Sequence, residues 1–118
     1  MVDAKLHGMI LVVEDVDEIR SQMKAMLIAK GYRVLSASNA EDAIQIAEGD
    51  RPLLILTDME LPTFGLLVNR FRDHDGLSQV PIVIVDINHP DLDGHKVTVV
   101  TDFGQLEGLI RTVAASSP

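Results

Sequence analysis

Residues 53–58 read Leu53-Leu54-Ile55-Leu56-Thr57-Asp58, an unbroken apolar run closed by a threonine and an acid. A run this short and this apolar is the pattern of a strand buried on both faces, and such strands belong to parallel sheets covered by helices. Upstream, Met9 to Val13 is equally apolar and stops at Glu14-Asp15. Downstream, Pro81 opens Ile82-Val83-Ile84-Val85, which stops at Asp86. Tyr32 to Ala37 reads as a further strand, and Val97, Val99 and Val100 mark a fifth.

Helical periodicity fills the intervals. From Asp17, the residues Ile19, Met23, Met26 and Leu27 fall on one face, the Met23/Met26 pair at core spacing, and Gly31 supplies the stop. Ser38 and Asn39 offer N-caps, with Glu41 placed for a capping box with Ser38, ahead of a short helix of Ala43, Ile44 and Ala47 that Gly49 closes. A turn holding Pro62 and Gly65 precedes a helix bearing Leu66, Leu67 and Phe71. Asp102 with Gln105 caps a last helix that turns Leu106, Leu109, Ile110 and Val113 inward. Strand and helix alternating in this way predict an α/β sandwich around one parallel sheet. The fourth crossover is the exception. Asn88 to Lys96 provides nine residues, Pro90 and Gly94 among them, where a crossover with its helix needs about a dozen or more. This helix is expected to be shortened or absent.

Composition narrows the function. The 118 residues suit a single domain, spanning 1–118, with 47% hydrophobic and 24% charged residues. A net charge of −8 repels nucleic-acid phosphates and anionic lipid, so neither nucleic acid nor a membrane is an expected partner. With no cysteine there is no disulfide, no thiolate nucleophile and no Cys-ligated zinc, which fits a cytoplasmic location. No apolar run approaches a membrane span, and Met1 to Met9 lacks the pattern of a signal peptide.

In an open parallel sheet, ligands bind beyond the carboxyl ends of the strands at the switch in strand order. Glu14, Asp15, Asp58 and Asp86 all follow apolar strands and would crowd that mouth. Clustered carboxylates are unfavourable unless their pKa values rise or a cation neutralises them, and oxygen ligands with room for water suit Mg²⁺. A hard-cation site around Asp15 and Asp58 follows.

At this point the chain resembles the receiver domain of bacterial two-component response regulators over essentially its whole length. Ile10-Leu11-Val12-Val13-Glu14-Asp15 matches the family's first strand and acidic pair. Leu54-Ile55-Leu56-Thr57-Asp58-Met59-Glu60-Leu61-Pro62 matches the third strand, the phosphoacceptor and the Pro turn, and Gly65 and Pro81-Ile82-Val83 also fall in place. The resemblance implies a flavodoxin-like three-layer sandwich with a five-stranded parallel sheet in the order 2-1-3-4-5. It makes Asp58 the acceptor of a phosphoryl group from a phosphohistidine on a sensor histidine kinase or phosphotransfer protein. Asp15, Asp58 and the backbone carbonyl of Glu60 would hold Mg²⁺, with Glu14 acting partly through water.

Three positions depart from the family. Asp86 stands where a Ser or Thr would bond the phosphoryl oxygen, Thr101 where a Lys would pair with it, and Thr98 at the aromatic switch position. Lys96 does not replace that Lys, because at about 3.3 Å per residue it lies some 16 Å from position 101. His89 is read as a solvent-facing loop residue. The expected function is therefore a non-enzymatic signalling receiver that keeps its acceptor, lacks the usual switch and acts on a downstream protein partner. The alternative is a pseudo-receiver that binds partners irrespective of phosphate. A phosphohydrolase using Asp58 as nucleophile and Glu60 as acid is disfavoured, since the chain has no room for a cap and no Lys at the strand ends to neutralise phosphate.

Overall fold

The computed structural model describes residues 8–58, 62–85, 98–100 and 103–116. Strands β1 (Met9–Val13), β2 (Arg33–Ala37), β3 (Leu54–Thr57), β4 (Ile82–Val85) and β5 (Thr98–Val100) are joined with helices α1 (Asp17–Ala29), α2 (Ala40–Gly49), α3 (Phe64–Asp73) and α4 (Phe103–Ser116). The strands lie in the order β2-β1-β3-β4-β5, each pair parallel.

Alternation along the strands divides the core into two layers. Met9, Leu11, Val13 and Ile55 face one side with Ala43, Ile44 and Ala47 of α2 and Leu67, Val68 and Phe71 of α3. Ile10, Val12, Leu54, Leu56 and Val83 face the other with Leu27 of α1 and Ile110 of α4. β1 and β3 are buried along their whole length, which explains why their sequences show no polar alternation. The edge strand β2 is partly exposed and its sequence is mixed.

Gly31 ends α1 with φ 93°, a conformation open chiefly to glycine. Gly31 N–H donates to Ile28 O and Tyr32 N–H to Leu27 O, the paired bonds of a Schellman stop. Pro81 stands immediately ahead of β4, where its carbonyl accepts from Ile55 N–H at 2.9 Å.

Local details differ from the sequence reading. Of the two N-cap candidates Asn39 caps α2, and the Ser38 capping box does not form: the Asn39 side-chain oxygen accepts from Asp42 N–H at 2.9 Å. The capping partner is therefore Asp42, not Glu41, and the Ser38 hydroxyl accepts from the Asn39 amide instead. Along α1, Leu27 is buried and Met23 packs on the core, but Ile19 and Met26 are 42% and 45% exposed. The apolar stripe is wider than the strip the sheet and α4 cover, so half of it faces water. Leu66 likewise lies outward on α3 while Leu67 and Phe71 are buried. The fourth crossover, Val97, Asp102 and the side chains of Gln105 and Leu106 lie outside the described residues.

Candidate functional site

The switch in strand order falls between β1 and β3. β1 continues into α1 on one face of the sheet and β3 leads toward α3 on the other, which opens a crevice at their carboxyl ends. Glu14 and Asp15 leave β1 there, and Asp58 leaves β3, because Val13 and Thr57 are paired in register as the final residues of the two strands.

Glu14 is the critical member. Its backbone N–H donates to Ala37 O at 3.0 Å, which extends the β1–β2 ladder by one rung and fixes the residue against the sheet. Its side chain is only 2% exposed. Oε1 accepts from Val16 N–H at 3.3 Å, whereas Oε2 is buried with no hydrogen-bond partner. Burial raises the carboxyl above its ordinary value. The Val16 N–H opposes that rise, and the charges of Asp58 and Asp15 add to it, as does the bond a protonated Glu14 carboxyl donates to the Asp15 carboxylate. The three acids are thus brought together, with Asp58 half-buried and Asp15 exposed.

Other groups frame them. Arg20 Nη1 donates to Glu14 O at 2.9 Å and Nη2 to Asp17 Oδ1, so the first turn of α1 is tied to the acidic loop. The buried Thr57 hydroxyl donates to Val13 O at 3.0 Å. Beyond Asp58, the Thr63 hydroxyl accepts from Ala40 N–H at 3.0 Å and links the loop ahead of α3 to the start of α2. The sequence reading passed over these three residues. Thr57 alone carried a signal, as a polar residue in an otherwise apolar buried strand.

A buried carboxylate oxygen without a donor, beside two further acids, suits a cation better than it suits water-free burial. Among the described residues no three His, Cys, Asp or Glu side chains are grouped so as to hold a metal by themselves. Mg²⁺ does not require that, since it is usually bound by one or two carboxylates with water and phosphate completing its shell. Glu60, Asp86 and Thr101 lie outside the described residues, and Thr98 is described only in its backbone, as the first residue of β5.

The response regulator receiver domain family matches residues 10–85, the stretch from β1 through β4 that carries this mouth. The chain belongs to that family. It is similar to the transcriptional regulatory protein AfsQ1 of Streptomyces coelicolor, 35% identical over 86 residues, or 71% of this chain and 37% of that protein. It is also similar to the polar-differentiation response regulator DivK of Brucella anthropi, 32% identical over 78 residues, 64% of this chain and 63% of that protein. The chain therefore spans less than two thirds of either relative. Among solved structures, the receiver domain of sensor histidine kinase PA1611 from Pseudomonas aeruginosa PAO1, which holds a magnesium ion in its active-site cleft, aligns with a TM-score of 0.75. At 24% identity over 92% of this chain and 98% of that one, it shows the fold. The receiver is a signalling module of two-component systems, built as the flavodoxin-like sandwich. Among the described residues, no helix of the receiver is long and apolar enough to cross a membrane.

Proposed function

We propose that the chain, as one receiver domain over residues 1–118, takes a phosphoryl group on Asp58 in a Mg²⁺-dependent step. The observation that carries this reading is the buried, unpartnered Oε2 of Glu14 between two further carboxylates. Asp15, Asp58 and the Glu60 carbonyl would hold the metal, with Glu14 acting partly through water. Bound there, Mg²⁺ supplies the positive charge that lets an anionic phosphoryl donor approach three acids. In the transfer, an Asp58 carboxylate oxygen forms the new P–O bond as the P–N bond of a phosphohistidine breaks, and its electron pair returns to the imidazole.

The donor is a sensor histidine kinase or phosphotransfer protein in the cytoplasm. Val16 and Ile19, 45% and 42% exposed at the start of α1 beside the acids, with Met26 further along, provide an apolar surface on which it can dock. Output would then differ from the family pattern. With Asp86 and Thr101 in place of a hydroxyl and a lysine, and Thr98 at the aromatic position, the acyl phosphate loses two partners. A hydrogen bond to a charged group contributes about 1.5–3 kcal/mol, and a two-state gap is only a few kcal/mol. The same substitutions favour a second reading, a pseudo-receiver that binds its partner without phosphate.

Incubation with acetyl phosphate and Mg²⁺, followed by intact mass measurement, separates the two. A phosphate-sized gain in the wild type that requires Mg²⁺ and is absent from Asp58→Asn supports the acceptor. No gain, with Mg²⁺ binding confirmed, supports the pseudo-receiver.

A further inference from the structure

Thr57 is the only polar residue of β3 and its side chain is wholly buried. Packing of a fully buried strand position does not call for a hydroxyl, since valine has nearly the same shape and every other residue of β1 and β3 is aliphatic or methionine. The hydroxyl is nonetheless engaged, donating to the main-chain carbonyl of Val13 at 3.0 Å. Val13 and Thr57 are the residues directly beneath the acids: Glu14-Asp15 follow one and Asp58 the other. Their continuations then diverge toward opposite faces of the sheet.

β1 is consequently bracketed at its carboxyl end. On the β2 side the bracket is a backbone bond, Glu14 N–H to Ala37 O, and on the β3 side it includes a side chain. Like charges on Glu14, Asp15 and Asp58 push the ends of β1 and β3 apart, and a bond directly beneath them resists that push. We propose that Thr57 is a positioning residue whose hydroxyl, bonded to Val13 O, holds the ends of β1 and β3 at the spacing at which their acids share one divalent cation. This inference rests on the Mg²⁺ reading of the site.

The test is a titration of the intact chain with Mg²⁺ alone, followed by the backbone amide shifts of Glu14 and Asp58, for wild type, Thr57→Val, Thr57→Ser and Asp15→Asn. Wild type and the serine variant should bind within twofold of each other, because serine keeps the donor. The valine variant should bind about five- to tenfold more weakly, the factor that loss of one neutral hydrogen bond gives. Should valine prevent folding, Thr57→Ala, which lacks the hydroxyl and needs no added room, carries the same expectation. A purely structural role would lower the melting temperature of the valine variant and leave its Mg²⁺ dissociation constant unchanged, and that result overturns the inference. Wild type that shows no Mg²⁺-dependent shift, or shifts that Asp15→Asn preserves, overturns the metal reading and this inference with it.

Discussion

Replacing Glu14 by glutamine should make the metal-free receiver more stable even though it removes a site residue. Glu14 is 2% exposed, and no protein donor reaches its Oε2. A buried unsatisfied polar group costs about 1–3 kcal/mol, and more when charged. Glutamine keeps a carbonyl to accept from Val16 N–H and replaces the charge facing Asp15 and Asp58 with an amide. After allowing for the amide's own burial, the gain at neutral pH is about 1 kcal/mol, or about 4 °C in melting temperature for a domain near this size. The pH dependence follows from the raised carboxyl. Folding favours protonated Glu14, so its contribution is fully present below the ordinary value of 4.5 and is lost as pH rises through the higher folded value. The advantage of glutamine should therefore be largest at neutral pH and shrink as pH falls toward 4.5. Mg²⁺ should reverse the order, because a ligand at a hundredfold excess over its Kd stabilises the protein that binds it by about 2.7 kcal/mol. Thermal melting followed by circular dichroism, in EDTA and in Mg²⁺ from pH 5 to 8, reads all three effects. A Glu14→Gln protein that melts below the wild type in EDTA at neutral pH would show instead that the charged Glu14 is stabilising.

Three further outcomes are expected. Arg72 donates from Nη1 to Ser78 O at 2.9 Å and to Val80 O at 3.0 Å, closing the segment between α3 and β4. Arg72→Met should therefore cost about 2–3 kcal/mol in urea unfolding, and a loss under 0.5 kcal/mol would show that this staple is dispensable. Thr63→Val removes the acceptor for Ala40 N–H and should cost about 1 kcal/mol, with faster amide exchange confined to the first turn of α2. Phosphorylation with acetyl phosphate should shift amide resonances around Glu14, Asp58 and Thr63 and leave Val83 and Ile110 unmoved. Shifts spreading through β4 and α4 would show that the usual switch operates despite Asp86 and Thr101.

The buried strands were readable because their environment is uniform. β1 and β3 have helices on both faces, so Met9–Val13 and Leu54–Thr57 carry no alternation, and the acids that end them mark the mouth directly. Helix faces were less readable. Periodicity shows that Ile19, Met23, Met26 and Leu27 share one side of α1 but not how much of that side the sheet covers, and two of the four are substantially exposed. Ser38 and Asn39 are both competent N-caps by residue type, and only the folded chain selects Asn39. Long-range polar bonds were hidden altogether. Thr63 meets Ala40 across 23 positions of sequence and Thr57 meets Val13 across 44, and no local pattern announces either pairing.

Phosphoryl transfer to this receiver turns on Asp58 as the acceptor. An acyl phosphate on a carboxylate is open to reduction by hydride, which converts the labelled aspartate to homoserine. The protein should be treated with acetyl phosphate and Mg²⁺, reduced with borohydride, digested and mapped by peptide mass spectrometry. Homoserine at position 58 alone, and none when Mg²⁺ is withheld, is the result this account predicts. Homoserine at Asp15 or at another acid, or unmodified Asp58 in a preparation that binds Mg²⁺, would contradict it.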